Sequence, residues 1–141
     1  MDNLINSNEI RFALCLGISL ICGLFIGFER EMKRKPAGIS TQILVVTGSM
    51  MFAFMSGVLD KGDPTRIAAQ IVSGIGFLGA GIILKSEKSK KVTNVTTAAS
   101  IWYSAAVGMA IGFQMYVIAI MAAIYAVIIA RIPHVKTYTD E

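Results

Sequence analysis

VTNVTTAASIWYSAAVGMAIGFQMYVIAIMAAIYAVIIA, residues 92–130, is a run of 39 residues without one charged side chain. As a single helix it would be about 58 Å long, nearly twice the roughly 30 Å hydrocarbon core of a bilayer. The run must therefore fold back on itself, and Gly112-Phe113-Gln114 is its turn-like break. This break predicts two helices, near 95–111 and 114–131.

The rest of the chain follows the same pattern of long uncharged stretches. Three of them have about the length of one helical crossing, which needs roughly 17–25 residues: 12–28, 36–59 and 67–84. They predict helices near 10–28, 41–59 and 65–84. Hydrophobic residues make up 55% of the chain and charged residues 16%, with a mean hydropathy of +0.65. A soluble domain carries about 25% charged residues, so this composition excludes one.

We therefore expect an all-α transmembrane fold, a compact bundle of five membrane-spanning helices. Four spans, with a re-entrant fourth segment, are the alternative. Residues 1–141 are expected to form one transmembrane domain, without a C-terminal cytoplasmic domain.

Lysine and arginine are distributed unevenly between the predicted ends of the helices. Ten of the 13 lie at 30–35, at 85–91 and after residue 130, and the other three are Arg11, Lys61 and Arg66. Because loops rich in lysine and arginine stay in the cytoplasm, this predicts an external N-terminus and a cytoplasmic C-terminus. The net charge of +4 is then a topology signal, and we expect no nucleic-acid partner, since no aromatic residues interleave the basic clusters.

The stretch GIGFLGAG, residues 74–81, contains a G-x-G-x-x-G pattern. A dinucleotide site would need it after a buried strand, with an acidic residue about 20 positions further on. Here it lies inside an uncharged stretch, and the nearest downstream acid, Glu87, follows Gly74 by only 13 residues. The pattern therefore predicts no nucleotide site.

Small residues at every fourth position instead predict close helix packing, because they let helix backbones approach each other in lipid. The positions that we expect to pack are Gly23, Gly27, Ser73, Gly76, Ala80, Ser104, Gly108 and Gly112. Faces left over by this packing predict a homodimer.

Each group of polar residues near a helix end allows two interpretations. Asp63 with Pro64 fits the N-terminal cap of helix 3, and the alternative is an external magnesium site at Asp60 and Asp63. Glu29 and Arg30 at the end of helix 1 are interpreted as a solvated helix end or as a polar anchor for other helices.

Hydroxyl groups lie on one face of helix 4, where Thr97, Ser100 and Ser104 follow at intervals of three and four residues. We expect interhelical hydrogen bonds there, and a path for a polar solute is the alternative. The single histidine, His134, has no metal-ligand spacing around it. We therefore expect no catalytic residues, no enzyme activity and no cofactor.

Four segments carry a family resemblance: GLFIGFERE at 23–31, KPAGISTQILVVTGS at 35–49, DPTRIAAQIVSGIGFLGAGIILK at 63–85 and VTNVTTAASIWYSAAVGMAIG at 92–112. In this order they closely resemble the MgtC/SapB family of bacterial inner-membrane proteins. The resemblance covers roughly residues 11–131, and the segment 63–85 is its most specific part.

The resemblance implies a multi-pass protein of the bacterial cytoplasmic (inner) membrane that serves adaptation to low magnesium, and in some members virulence or acid stress. It implies action through interaction with another membrane protein. Transport of Mg²⁺ or another ion is the alternative. The family's motif positions fall on Gly27, Glu29, Arg30, Pro36, Ala37, Gly38, Thr41, Asp63, Pro64, Thr65, Arg66, Gln70, Gly74, Gly76, Gly79, Gly81, Thr96, Thr97 and Ser100.

Overall fold

The structure, a computed structural model, describes residues 6–59, 63, 65–85 and 92–132. Over these residues it contains five α-helices and one short antiparallel hairpin: α1 Ser7–Met32, α2 Ile39–Leu59, α3 Thr65–Ile82, β1 Leu84–Lys85, β2 Val92–Thr93, α4 Val95–Gly112 and α5 Tyr116–Ala130. The predicted all-α fold with five helices is confirmed. The hairpin, which joins α3 to α4, was not predicted.

Helices α1 to α4 are each long and apolar enough to cross a membrane, whereas α5 has only 15 residues. The contacts at the two ends of α5 show where it lies along α1. It begins at Tyr116, whose hydroxyl oxygen lies 3.5 Å from Cys15 Sγ, and it ends at Ala130, whose carbonyl accepts a hydrogen bond from Lys33 Nζ. It thus runs beside α1, and its 15 residues are about 22 Å long, shorter than the roughly 30 Å hydrocarbon core. The chain is a multi-pass membrane protein.

The predicted break at 112–114 is a Schellman motif that ends α4. Gln114 adopts a left-handed conformation with φ 62°. Its N–H donates to Ile111 O at 2.9 Å, and the N–H of Met115 donates to Ala110 O at 2.8 Å. These bonds satisfy carbonyl groups that would otherwise be free at the helix end, and they reverse the chain into α5.

Two glycines of α1 bring its backbone against α2. A β-carbon at Gly23 would lie 2.7 Å from Ile43 Cα, and one at Gly27 would lie 2.5 Å from Ile39 Cα. Both distances are shorter than carbon atoms tolerate. Only glycine permits this approach, as the spacing of small residues predicts.

Two glycines of α4 do the same on the other side of α2. A β-carbon at Gly108 would meet the carbonyl oxygen of Val46, and one at Gly112 would lie 2.5 Å from the carbonyl oxygen of Met50. Helix α2 is therefore the central element, held between α1 and α4 by two G-x-x-x-G contacts.

The main apolar cluster joins α1, α2, α4 and α5. It includes Cys15, Val46, Met50, Val107 and Ile111, each no more than 1% exposed. Both cysteines are buried and free, as expected for apolar packing residues.

Helix α3 packs less extensively, and with a face other than the predicted one. Its buried residues are Ala68, Ile71, Ile75 and Gly79, whereas Ser73, Gly76 and Ala80 are exposed. A β-carbon at Gly76 would have nothing within 4 Å. Within one chain, α3 therefore does not pack through its stripe of small residues. The face that carries Ile71 and Ile75 lies against the bundle instead.

Candidate functional site

The buried arginine of α1 stands at the centre of a polar junction. Arg30 is 6% exposed, and its Nη2 donates to Thr97 Oγ1 at 2.5 Å and to the carbonyl oxygen of Pro36 at 3.1 Å. One guanidinium thus joins the end of α1, the α1–α2 turn and the first turn of α4. This geometry supports the interpretation of Arg30 as a polar anchor.

A Schellman motif at the end of α1 shapes the turn next to this arginine. Arg34 is left-handed with φ 50°, its N–H donates to Glu31 O at 3.0 Å, and the N–H of Lys35 donates to Arg30 O at 3.1 Å. Pro36 then prevents the helix from continuing.

Lys33, which pairs with the carboxylate next to Arg30, connects the end of α1 to α5. Glu29 is 8% exposed and forms an ion pair with Lys33, with 2.8 Å between Oε1 and Nζ. Lys33 Nζ also donates to Ala130 O at the C-terminal end of α5. A cation in this position satisfies a terminal carbonyl and favours the helix dipole.

The second carboxylate of this segment caps the beginning of α2. Glu31 Oε2 accepts a hydrogen bond from the backbone N–H of Ile39 at 3.2 Å. Gly38 leaves room for this carboxylate, since a β-carbon at that position would overlap with Oε2. Ala37 completes the turn with φ 60°. The motif residues 36–38 therefore have a structural role, because they seat the start of α2 on the end of α1.

Gln42 of α2 connects the hydroxyl groups of α4. It is fully buried, and its Nε2 donates to Ala37 O and to Ser100 Oγ, each at 3.2 Å. Its Oε1 accepts from Ser104 Oγ at 2.6 Å. Ser100 Oγ in turn donates to Thr97 O at 2.8 Å. These bonds extend the polar junction from Arg30 along α4, and they form the interhelical hydrogen bonds expected of the helix 4 face.

Sequence reasoning missed Gln42, although a signal for it was present. Gln42 lies in an uncharged stretch, seven residues before Ser49. Two helical turns separate the two residues, so Gln42 falls on the same face of α2 as the small residues Ser49 and Ala53. Intramembrane polar residues are rare and generally paired, so an amide at this position predicts a buried partner.

The structure leaves other motif residues away from the junction. Thr41, Arg66, Gln70, Gly74, Gly76, Gly81 and Thr96 are exposed. Gln70 and Gly74 line a groove of about 660 Å³ between α2 and α3, together with Thr41 and Gly48. Gly79 is buried, and a β-carbon on it would contact Ala98 Cβ at 3.7 Å.

Asp63 caps α3, as predicted. Its Oδ1 accepts from the backbone N–H of Thr65 at 3.1 Å and from Thr65 Oγ1 at 2.5 Å. The described part of the chain contains no group of three or more His, Cys, Asp or Glu side chains that fits a metal ion. Asp60 and Pro64 lie outside the described residues, and the magnesium site at Asp60 and Asp63 stays a prediction.

Comparison with known proteins gives one family. The family model described as the MgtC family matches residues 16–136. The MgtC protein of Brucella abortus is 45% identical over 116 residues, which are 82% of this chain and 48% of that protein. The MgtC protein of Salmonella typhimurium LT2 is 41% identical over 113 residues, 80% of this chain and 48% of that protein.

A third relative carries another name. The Escherichia coli K12 protein named "Putative magnesium transporter YhiD" is 40% identical over 129 residues, 85% of this chain and 59% of that protein. The chain thus spans about half the length of the curated relatives it matches. No solved structure matches. The bacterial origin of these relatives fits the predicted inner-membrane location.

Proposed function

The chain belongs to the MgtC family, and from this premise we propose that it supports adaptation to low magnesium by contact with another membrane protein. The observation that carries the proposal is the closed polar junction inside the bundle. Gln42 uses both ends of its amide in bonds to Ala37, Ser100 and Ser104, and Arg30 bonds to Thr97. The polar groups of α4 in this junction therefore hold helices together, which supports contact over a path for a solute.

The distribution of charge also favours contact over transport. The stretches 36–59, 67–84 and 92–130 contain no charged side chain, whereas a charged group within a span is the usual mark of an ion path. Mg²⁺ loses its water reluctantly and is normally held by carboxylates. The buried charge nearest to the polar face of α4 is Arg30, a cation, which repels Mg²⁺.

A surface is available for such a contact on α3. The outward face of this helix carries Ser73, Gly76 and Ala80, all exposed. Small residues in lipid let a second helix approach closely. We propose that a helix of the partner protein, or of a second copy, lies on this face.

The name of the Escherichia coli relative supports a second candidate, transport of magnesium. The two functions differ in the behaviour of the purified protein. Proteoliposomes that contain a Mg²⁺-sensitive dye and hold an inside-negative potential should take up Mg²⁺ no faster than empty vesicles. Uptake well above that of the empty vesicles, reduced by Gln70→Leu, would establish transport and contradict the proposal.

A growth assay tests the contact itself. In a strain without the gene, Gly76→Leu should fail to restore growth at low magnesium although the variant accumulates and melts like the wild type. Gly17→Leu is the matched control, because a β-carbon at Gly17 on α1 also has nothing within 4 Å. Wild-type growth with Gly76→Leu would show that the α3 face is not the contact.

A further inference from the structure

A cavity of about 460 Å³ opens between the end of α1 and the helices α4 and α5. One part of its lining is charged and comes from Glu29, Arg30, Lys33 and Lys35. The rest is mainly apolar, with Ile26 of α1, Tyr103 of α4, and Val127 and Ile129 of α5 among its residues. The cavity is thus amphipathic, with a polar end and an apolar wall.

The charged end is cationic. Among the described residues, three cations and one carboxylate line it, which gives a net charge of +2. Glu29 is already paired with Lys33. Lys35 is exposed and has no ion-pair partner among the residues that the structure describes, and Arg30 Nε is buried without a hydrogen-bond partner there. An anion at this end would compensate the net positive charge that the described residues leave there.

The cavity lies where α1 passes from apolar to basic sequence. Residues 12–28 are uncharged, and residues 29–35 include six charged side chains. Such a change marks the boundary between the hydrocarbon core and the headgroup region of a bilayer. The charged end of the cavity therefore lies at the depth of lipid phosphates, and its apolar wall lies at the depth of acyl chains.

We propose that this cavity binds an anionic phospholipid. The phosphate lies between Lys33 and Lys35, beside Arg30, and one acyl chain follows the wall formed by α4 and α5. Basic pockets between membrane helices recognise lipid headgroups in this way, and the anionic leaflet attracts each nearby lysine or arginine. A free phosphate ion would leave the apolar wall uncovered, which favours a lipid as the occupant. The site is separate from the outer face of α3, on which the proposed function depends.

The experiment measures lipid retention by the purified full-length chain in detergent, using native mass spectrometry. The two probes are dioleoyl phosphatidylglycerol and dioleoyl phosphatidylcholine, which have the same acyl chains. The wild type should retain the anionic lipid about 25-fold better, since two cations each contribute about fivefold. Inorganic phosphate in millimolar excess should not displace it.

Two pairs of variants locate the site. Lys35→Ala should weaken retention of phosphatidylglycerol about fivefold, whereas Arg34→Asn removes a neighbouring cation that does not line the cavity and should leave retention unchanged. Ala126→Phe fills the cavity from α5 and should abolish retention. Its control, Ala106→Phe, places the same ring at an exposed position of α4 outside the cavity.

Five results would overturn the proposal. Equal retention of the two lipids, or equal losses in Lys35→Ala and Arg34→Asn, would reduce the effect to non-specific attraction. Displacement by inorganic phosphate would show that the site takes a free anion. Retention of phosphatidylglycerol that appears only after removal of residues 133–141 would show that this segment is the occupant of the cavity. Loss of a dimer in Ala126→Phe, with lipid retention intact, would assign it to a second copy.

Discussion

A guanidinium buried at the end of a membrane helix must be hydrogen-bonded, because an unpaired charge is costly away from water. Arg30 Nη2 meets this requirement with Thr97 and the carbonyl of Pro36, two groups that are distant from each other in the sequence, whereas Nε has no hydrogen-bond partner among the described residues. The same bonds fix the start of α4 against the end of α1. The charge therefore specifies how the helices meet.

Thr97→Val tests this link with a nearly isosteric change. The valine removes one of the two acceptors of Arg30 Nη2 and leaves part of a buried charge without a partner, which should destabilise the bundle by about 1–3 kcal/mol. Thermal unfolding in detergent measures the effect. Thr96→Val, at an exposed position, is the control and should melt like the wild type. Equal melting of the two variants would show that the Arg30–Thr97 bond adds no stability.

Gln42→Leu tests the second half of the polar junction. The leucine leaves Ser104 Oγ, which donates to Gln42 Oε1 at 2.6 Å, without its acceptor in the interior of the bundle. We expect a loss of about 1–2 kcal/mol in the free energy of unfolding. Gln70→Leu is the control, because Gln70 is exposed on α3. A larger loss in Gln70→Leu than in Gln42→Leu would contradict the burial of this network.

Individual residues of the junction differed in how far sequence could predict them. The hydroxyl face of helix 4 followed from spacing, whereas the anchor was one of two interpretations of Arg30, and its burial decides against the solvated helix end. The amide of Gln42 did not follow from spacing, because its importance comes from partners on α4 that are 58 and 62 residues away. Spacing within one helix does not contain that information.

Among the helices, α2 lies at the centre of the bundle because of glycines on the neighbouring helices more than because of its own sequence. The pairs Gly23 and Gly27 on α1, and Gly108 and Gly112 on α4, bring two backbones against it. Lipid tails are as apolar as the side chains of a membrane helix, so helix association gains little hydrophobic free energy. Close packing is therefore a principal source of helix association in lipid.

Gly108→Leu should therefore disrupt the bundle, whereas Gly76→Leu should leave the single chain intact. A side chain at Gly108 meets Val46 O and Ser49 Cβ, which is 2.9 Å from the β-carbon position, and overpacking of this kind costs about 1–3 kcal/mol or more. Thermal unfolding and protease resistance in detergent compare the two variants. Wild-type stability of Gly108→Leu would mean that α2 and α4 are not in contact through this glycine.

The five helices could be predicted because charge intervals and bilayer thickness fix their number and length. The partner of each helix could not. The stripes of small residues on α1 and α4 pack inside the chain as expected, but Ser73, Gly76 and Ala80 on α3 do not. A stripe of small residues shows that another helix can approach closely. Whether it does so depends on which face of the helix packs against the bundle. On α3 the isoleucines Ile71 and Ile75 occupy the buried side instead.

At the scale of the whole molecule, hydrogen bonds place the basic segments at one end of the bundle. Arg30 bonds to Thr97 in the first turn of α4, and Lys33 bonds to Ala130 at the last residue of α5. The cations at 30–35 and Arg131 therefore lie at the same end of the bundle. The C-terminal end of α3 lies there too, because Ile82 O accepts a hydrogen bond from Asn94 Nδ2 at 3.3 Å. The turn at Gln114 and the start of α1 lie at the opposite end, since Tyr116 contacts Cys15.

This clustering makes the predicted orientation testable at few positions. Because the end rich in lysine and arginine should remain in the cytoplasm, cysteines introduced at Ser7 and Gln114 should react with a membrane-impermeant maleimide in intact cells. A cysteine at Thr93, which is exposed at the basic end, should react only after permeabilisation. The background carries Cys15→Ala and Cys22→Ala and should not react at all. Labelling of Thr93→Cys in intact cells, with Ser7→Cys and Gln114→Cys protected, would reverse the orientation. The lipid cavity would then face the outer leaflet.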